Sequence, residues 1–166
     1  VLVKMGVLPG NGAFKQEQVT ITYNDSGKFE DRWVHLLPQT DRCVFIEPQR
    51  QVYLPVAHGE GKVVTIDAAT LERLKSEGFI AYKYVGPDGE EGPYPINPNG
   101  SVESIAGLTD STGRVMGLMP HPERFVRRTQ HPQWTRLGED LDPDGIKIFR
   151  NAVRYAQENL LQSCSA

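Results

Sequence analysis

The chain has 166 residues, 39% hydrophobic and 23% charged, an ordinary makeup for a globular domain and within the size of a single one. Its net charge of −3 comes from interspersed acidic and basic residues, with no basic run suited to tracking phosphates or an anionic membrane, so nucleic acid is not an expected partner. No apolar stretch is long enough to cross a bilayer, no signal-peptide pattern is present, and the two cysteines, Cys43 and Cys164, form neither a CxxC pair nor a regular framework, so the expected compartment is the cytoplasm.

Val1 to Leu8 is an apolar run ending at Leu8-Pro9-Gly10. It reads as the tail of a buried helix that begins upstream, which makes the sequence an expected fragment or cleaved product. Val19 to Tyr23 is β-branched and aromatic, Asn24-Asp25-Ser26-Gly27 supplies turn chemistry, and Phe29 to Leu37 follows, a pattern that predicts a hairpin. Gln51 to Ala57 is a third apolar run, and Pro55 within it favours an edge strand.

Asp67 can cap a helix over 68–77, with Leu71 and Leu74 three apart and Gly78 where a left-handed terminal residue is wanted. Ile80 to Val85 reads as a strand and 87–92 as a loop. A second hairpin is predicted from Val102–Leu108 and Val115–Met119, whose second strand is almost wholly apolar and expected to be buried on both faces. Asp142-Pro143 looks like a cap followed by proline at the first helical position, and Ile146, Phe149, Val153, Ala156 and Leu160 recur at helical spacing. A buried strand leading to a long helix suggests the far half of an α/β sheet domain, and residues 162–166 read as a disordered tail.

Pro120-His121-Pro122-Glu123-Arg124 follows the last predicted strand. In extended backbone, residues two apart project to one side, so His121 and Glu123 can touch. A carboxylate beside an imidazole fixes its tautomer and stabilises its protonated form, the arrangement needed to take a proton from a thiol. The flanking prolines restrict the backbone around the pair. From spacing alone, an incidental pair on a surface loop accounts for the same residues equally well.

Gly113 through Arg124, with its Pro-His-Pro-Glu, resembles the His/Glu segment of class I glutamine amidotransferases. Val56-Ala57-His58-Gly59-Glu60-Gly61, Asn97-Pro98-Asn99-Gly100-Ser101 and Arg32-Trp33-Val34 narrow the resemblance to the glutaminase domain of the formylglycinamide ribonucleotide amidotransferases, over nearly all of the chain. The resemblance implies an α/β fold: the C-terminal part of a class I glutamine amidotransferase-like sheet domain with helices on its faces, residues 1–166 forming a partial glutaminase domain without its N-terminal strands and nucleophile elbow. It implies glutamine hydrolysis supplying ammonia to an ATP-dependent synthetase partner that holds the ATP and magnesium, in de novo purine synthesis. His121 would be the general base and Glu123 its orienting partner. They would serve a cysteine a few residues before Val1, so the chain by itself is expected to be inactive.

The resemblance also places His58, Glu60, Asn97, Asn99 and Arg124 along a substrate channel or partner interface. On residues alone, His58-Gly59-Glu60-Gly61 reads equally as an ordinary turn, and Asn97 to Ser101 needs only a structural reading. Cys43 lacks the flanking glycines of a strained elbow and reads as a core thiol. His35 and His131 have no partner spacing. His58 and Glu60 are two metal ligands without a third, so no metal is expected. The rival readings are the glutaminase domain of another class I amidotransferase and a non-catalytic docking module for a synthetase.

Overall fold

The computed structural model describes residues 1–161, and the tail expected at 162–166, with Cys164, lies outside them. In chain order the elements are β1 (Val19–Tyr23), β2 (Glu30–Pro38), β3 (Val52–His58), β4 (Glu60–Thr65), α1 (Ala68–Ser76), β5 (Ile80–Val85), β6 (Ile105–Thr109), β7 (Met116–Leu118) and α2 (Asp144–Asn159), with 3-10 turns at Val102–Ser104, Pro122–Phe125 and Arg128–Gln130. Two sheets result, a ribbon of β1 with β4 and a five-stranded sheet in the order β3-β2-β5-β6-β7. Every pairing among the described residues is antiparallel, as suits strands joined mostly by connections too short for a parallel crossover.

The first predicted hairpin does not form. β1 and β2 do not fold back on one another; β1 pairs with β4 and β2 with β3. The partner is a longer strand than the sequence suggested, since β3 and β4 run on from each other with only Gly59 between them. Both strands turn the same corner, one at Gly59 and the other over Asn24–Phe29. The jog is held by Asn24, whose backbone N–H donates to the Gly59 carbonyl (3.0 Å) and whose side-chain amide donates to the Lys28 and His58 carbonyls (2.8 Å each). Turn-forming residues thus mark a corner, and the competing ladder with β3–β4 decides its geometry.

Several elements match the local chemistry closely. Asp67 caps α1 by accepting from Thr70 N–H (2.7 Å), and Gly78, at φ +68°, ends the helix with paired bonds from Gly78 to Lys75 and from Phe79 to Leu74. β5 spans the predicted residues, and Pro55 does sit on an edge strand, β3. At the N-terminus, Met5 bonds back to Val1, and Gly6 at φ +73° closes the turn with bonds from Gly6 to Val3 and from Val7 to Leu2. Val1 to Gly6 thus form a hydrogen-bonded turn and not a helix, and they are not buried as expected, Val1 and Met5 lying largely exposed.

Two expectations fail for packing reasons. β7 is three residues long and half-buried, because it is the sheet edge; Leu8 lies over Gly117, where a Cβ would stand 2.7 Å from Leu8 Cδ1. α2 begins at Asp144, one residue later than expected, and Asp142 does not cap it but pairs with Lys147 at 2.8 Å. Its inward face carries Gly145, Ile148 and Asn151, whereas Phe149 and Val153 of the predicted stripe are 42% and 56% exposed. The rotation is set by Gly145, which packs on the backbone of the Pro122–Phe125 turn so closely that a methyl there would overlap the Pro122 carbonyl oxygen.

The core has two parts. One joins Val34, Leu36, Leu54, Val56, Tyr82, Tyr84, Phe125 and Ile148; the other joins Phe14, Val19, Val63, Leu74, Phe79, Ile105 and Leu108 around the ribbon and α1. The contact at Gly145 makes a direct expectation. Gly145→Ala, despite the better helix propensity of alanine, should lower stability by about 1–3 kcal/mol through overpacking against backbone, read as a lower midpoint in urea unfolding.

Candidate active site

His121 is delivered by the two edges of the five-stranded sheet. After β7, Met119 N–H still bonds to Ala106 on β6 (3.0 Å), but two residues on, His121 N–H donates to the Pro55 carbonyl of β3 (2.8 Å). A proline on an edge strand offers no N–H, yet its carbonyl remains available, and His121 takes it. β3 is tied down again where Tyr53 N–H donates to the Asp144 carboxylate at the start of α2 (2.9 Å).

The His121 and Glu123 side chains meet, Nδ1 to Oε1, at 2.7 Å. The route differs from the expected one. The strand ends at Leu118, His121 is extended at φ −103°, and a 3-10 turn over Pro122–Phe125 then folds Glu123 back to the imidazole. Because a carboxylate only accepts, Nδ1 carries the hydrogen in the neutral ring and Nε2 is left with its lone pair. The imidazole is half-buried and Glu123 exposed, so the pair is open to a substrate. Phe125 anchors the turn by packing edge-on to Trp33 at 5.0 Å, and Arg124 points to solvent.

The other resemblance-derived residues divide. His58, Asn99 and Ser101 are all buried, Asn99 and Ser101 bonding one another and Asn99 the carbonyl of Gly61, against which the His58 ring lies. Asn99 Nδ2 donates to the Gly61 carbonyl (2.8 Å) and to the Tyr84 hydroxyl (3.2 Å), and Ser101 Oγ donates to Asn99 Oδ1 (2.7 Å) and accepts from Val63 N–H (3.0 Å). Asn97 shapes the same loop by bonding Ser101 O and Gly100 N–H. Gly100 is needed there, since its φ is +76° and a Cβ would overlap the Asp25 carboxylate. Glu60 is exposed and lines a cavity of about 530 Å³ shared with Leu2, Gly117, Leu118 and Met119.

His58 is only 7% exposed, and its Nδ1 lies 3.1 Å from Asn24 Oδ1. Burial holds its pKa below the ordinary 6.5, opposed by its own backbone and by Glu30, and His121 lies within electrostatic range. Sequence reasoning missed Asn24 and Glu30, whose contacts reach residues 34 and 28 positions away along the chain. No local signal marks such a pair. His35 stacks on Tyr53 (4.3 Å) and His131 is buried beside Trp33 (4.8 Å).

Cys43 is buried, and burial raises its pKa. It lies by the turn between β6 and β7, where Val44 N–H bonds to Gly113 O (3.0 Å), whereas His121 follows the other end of that hairpin. Among the described residues no cluster of three or more His, Cys, Asp or Glu side chains is arranged to hold a metal ion, and no helix is long and apolar enough to cross a membrane.

Residues 1–156 match the family model described as the CobB/CobQ-like glutamine amidotransferase domain. The chain is 46% identical over 159 residues to the phosphoribosylformylglycinamidine synthase subunit PurQ of Dehalococcoides mccartyi, covering 95% of this chain and 60% of the relative. It is 39% identical over 167 residues to the subunit of the same name from Archaeoglobus fulgidus, with coverage of 95% and 60%. The structure titled "Structure of PurLQS from Thermotoga maritima" superposes with a TM-score of 0.63 at 30% identity, over 93% of this chain and 56% of that one. The chain therefore spans a little over half the length of the proteins it matches.

Three imidazoles, His58 and His131 buried and His35 half-buried, predict an acid-sensitive fold. His35, His58 and His131 all hold pKa values below 6.5 because burial disfavours the cation. The unfolded chain takes up protons near 6.5 that the folded one refuses, so stability is at its full value above that pH and falls as pH drops through it. Urea unfolding at about pH 7.5 and about pH 5.5 should show the loss, and His58→Gln should flatten it.

Proposed function

The chain belongs to the CobB/CobQ-like glutamine amidotransferase domain family, and from that membership we propose that it carries the acid–base half of a glutaminase site. The observation that carries this reading is the 2.7 Å contact between His121 and Glu123 on an accessible edge. A docking module for a synthetase has no use for an imidazole held in one tautomer beside a carboxylate, which favours the enzymatic reading over that rival.

The chemistry is acyl transfer. His121 Nε2 removes the proton of a thiol, and the resulting thiolate attacks the side-chain amide carbon of glutamine. The imidazolium, stabilised by Glu123, returns that proton to the departing nitrogen, so the C–N bond breaks and ammonia leaves a thioester behind. Nε2 then takes a proton from water, whose oxygen displaces the sulfur to give glutamate. Cys43 is too buried and too far along the hairpin to supply the thiol. In this reading the nucleophile is supplied by a segment of the family fold outside this chain, which covers 60% of the length of these relatives.

The ammonia serves the conversion of formylglycinamide ribonucleotide to its amidine in purine synthesis, in the cytoplasm, with ATP and magnesium bound by the synthetase partner. Support comes from the relatives named phosphoribosylformylglycinamidine synthase subunits and from the likeness to the PurLQS structure from Thermotoga maritima. Glu60 and Arg124, both exposed, face the partner in this reading, and the His58–Asn99 cluster, shaped by Asn97, borders the ammonia route.

In the full-length glutaminase assembled with its synthetase, His121→Ala should lower glutamine-dependent turnover at least ~100-fold, and Glu123→Gln about 10- to 100-fold, with amination from added ammonium chloride retained. Residues 1–166 alone should release no glutamate from glutamine. Glutamate release from them that survives thiol alkylation would refute the reading.

A further inference from the structure

The cluster around His58 holds more order than a corner of two strands requires. Asn24 spends both amide hydrogens on carbonyls, those of Lys28 and His58 itself, at 2.8 Å each. Its orientation is thereby settled, and the atom it turns to the imidazole, 3.1 Å from Nδ1, is the oxygen. An amide oxygen only accepts, so Nδ1 must carry the ring's hydrogen. Nε2 is then a bare lone pair, and it is fully buried and meets no donor among the described residues.

The ring cannot turn away to solve this. It lies against Gly61, where a Cβ would stand 2.5 to 2.8 Å from three ring atoms, and Gly61 is itself held by Asn99 through its carbonyl. A buried acceptor left unfilled is costly, and Asn24 and Gly61 hold the ring in place.

We propose that His58 is a positioning residue for ammonia in transit, its Nε2 accepting an N–H from the nitrogen released at His121; this rests on the glutaminase reading above. The occupant must donate a hydrogen and carry no charge. A carboxylate or phosphate offers no donor, and the same burial that keeps the imidazole neutral opposes ammonium. His58 stands three residues along β3 from Pro55, which holds His121, a separation of roughly 10 Å at the rise of a strand. Its fully buried Nε2 is closed to a whole glutamine side chain and suited to the small nitrogen after it leaves.

The test compares His58→Phe, which keeps a ring without a lone pair, with His58→Gln, which restores an acceptor, in the full-length glutaminase–synthetase assembly. Glutamate released and amidine formed are measured together. For His58→Phe the amidine formed per glutamate should fall about fivefold or more, the factor for one lost hydrogen bond, with the KM for glutamine unchanged and the yield recovered in His58→Gln. An unchanged yield in His58→Phe, or a raised KM with normal yield, overturns the proposal.

Should His58→Phe not fold, the ring nitrogens of His58 in the wild-type assembly decide by nitrogen-15 NMR. A bare Nε2 whose signal moves with added ammonia supports the proposal, and a protonated or unresponsive Nε2 overturns it. A wild-type assembly that releases no glutamate would instead sink the glutaminase reading beneath it. Loss of glutamate release in His121→Ala beside full coupling in His58→Phe would sink the ammonia role alone.

Discussion

One backbone hydrogen bond, from His121 N–H to the Pro55 carbonyl, organises the site. A five-stranded antiparallel sheet has two edges, and here the chain leaving β7 at one edge reaches β3 at the other. Proline suits that place, since it leaves no unsatisfied N–H on the outer side of β3 while presenting its carbonyl. The histidine is consequently fixed through its backbone, which frees the side chain to be accessible without being mobile. Behind it the Pro122–Phe125 turn is clamped by Phe125 on Trp33 and by α2, whose Gly145 admits the turn's carbonyls at close range.

The second organising constraint is the corner at Asn24 and Gly59. There a single ribbon passes from the small sheet into the large one, and one asparagine side chain satisfies the carbonyls that the bend would otherwise leave unpaired. The same bend brings His58-Gly59-Glu60-Gly61 under the loop Asn97–Ser101. Two histidines thus acquire opposite characters from their surroundings. His121 is half-exposed with one ring nitrogen on a carboxylate; His58 is buried against an amide, and burial favours its neutral form.

The local chemistry of α1, β5 and the Pro55 edge strand was legible because each rests on neighbours in sequence: a cap three residues from its acceptor, a left-handed glycine, a proline without N–H. The first hairpin was not, although its turn residues are real, because Asn24 to Gly27 serve a corner whose partner strand lies more than 30 residues on. The face of α2 was misread for a related reason. Its apolar positions allow more than one stripe, and the glycine that fits against the Pro122 carbonyl chose between them.

Of the candidate site, the sequence alone determined that His121 and Glu123 stand two positions apart, with prolines at 120 and 122 restricting the backbone, close enough for their side chains to touch. The 3-10 turn over Pro122–Phe125 is what brought them together. The sequence also determined which residue types are available for proton transfer. Only the tertiary structure decided where that pair stands, by joining β7 to β3, and only it placed His58 against Asn24 with one ring nitrogen filled and the other bare. Covalent neighbours set short-range geometry through φ and ψ, whereas the protonation and orientation of a buried ring depend on partners that chain folding brings from far away.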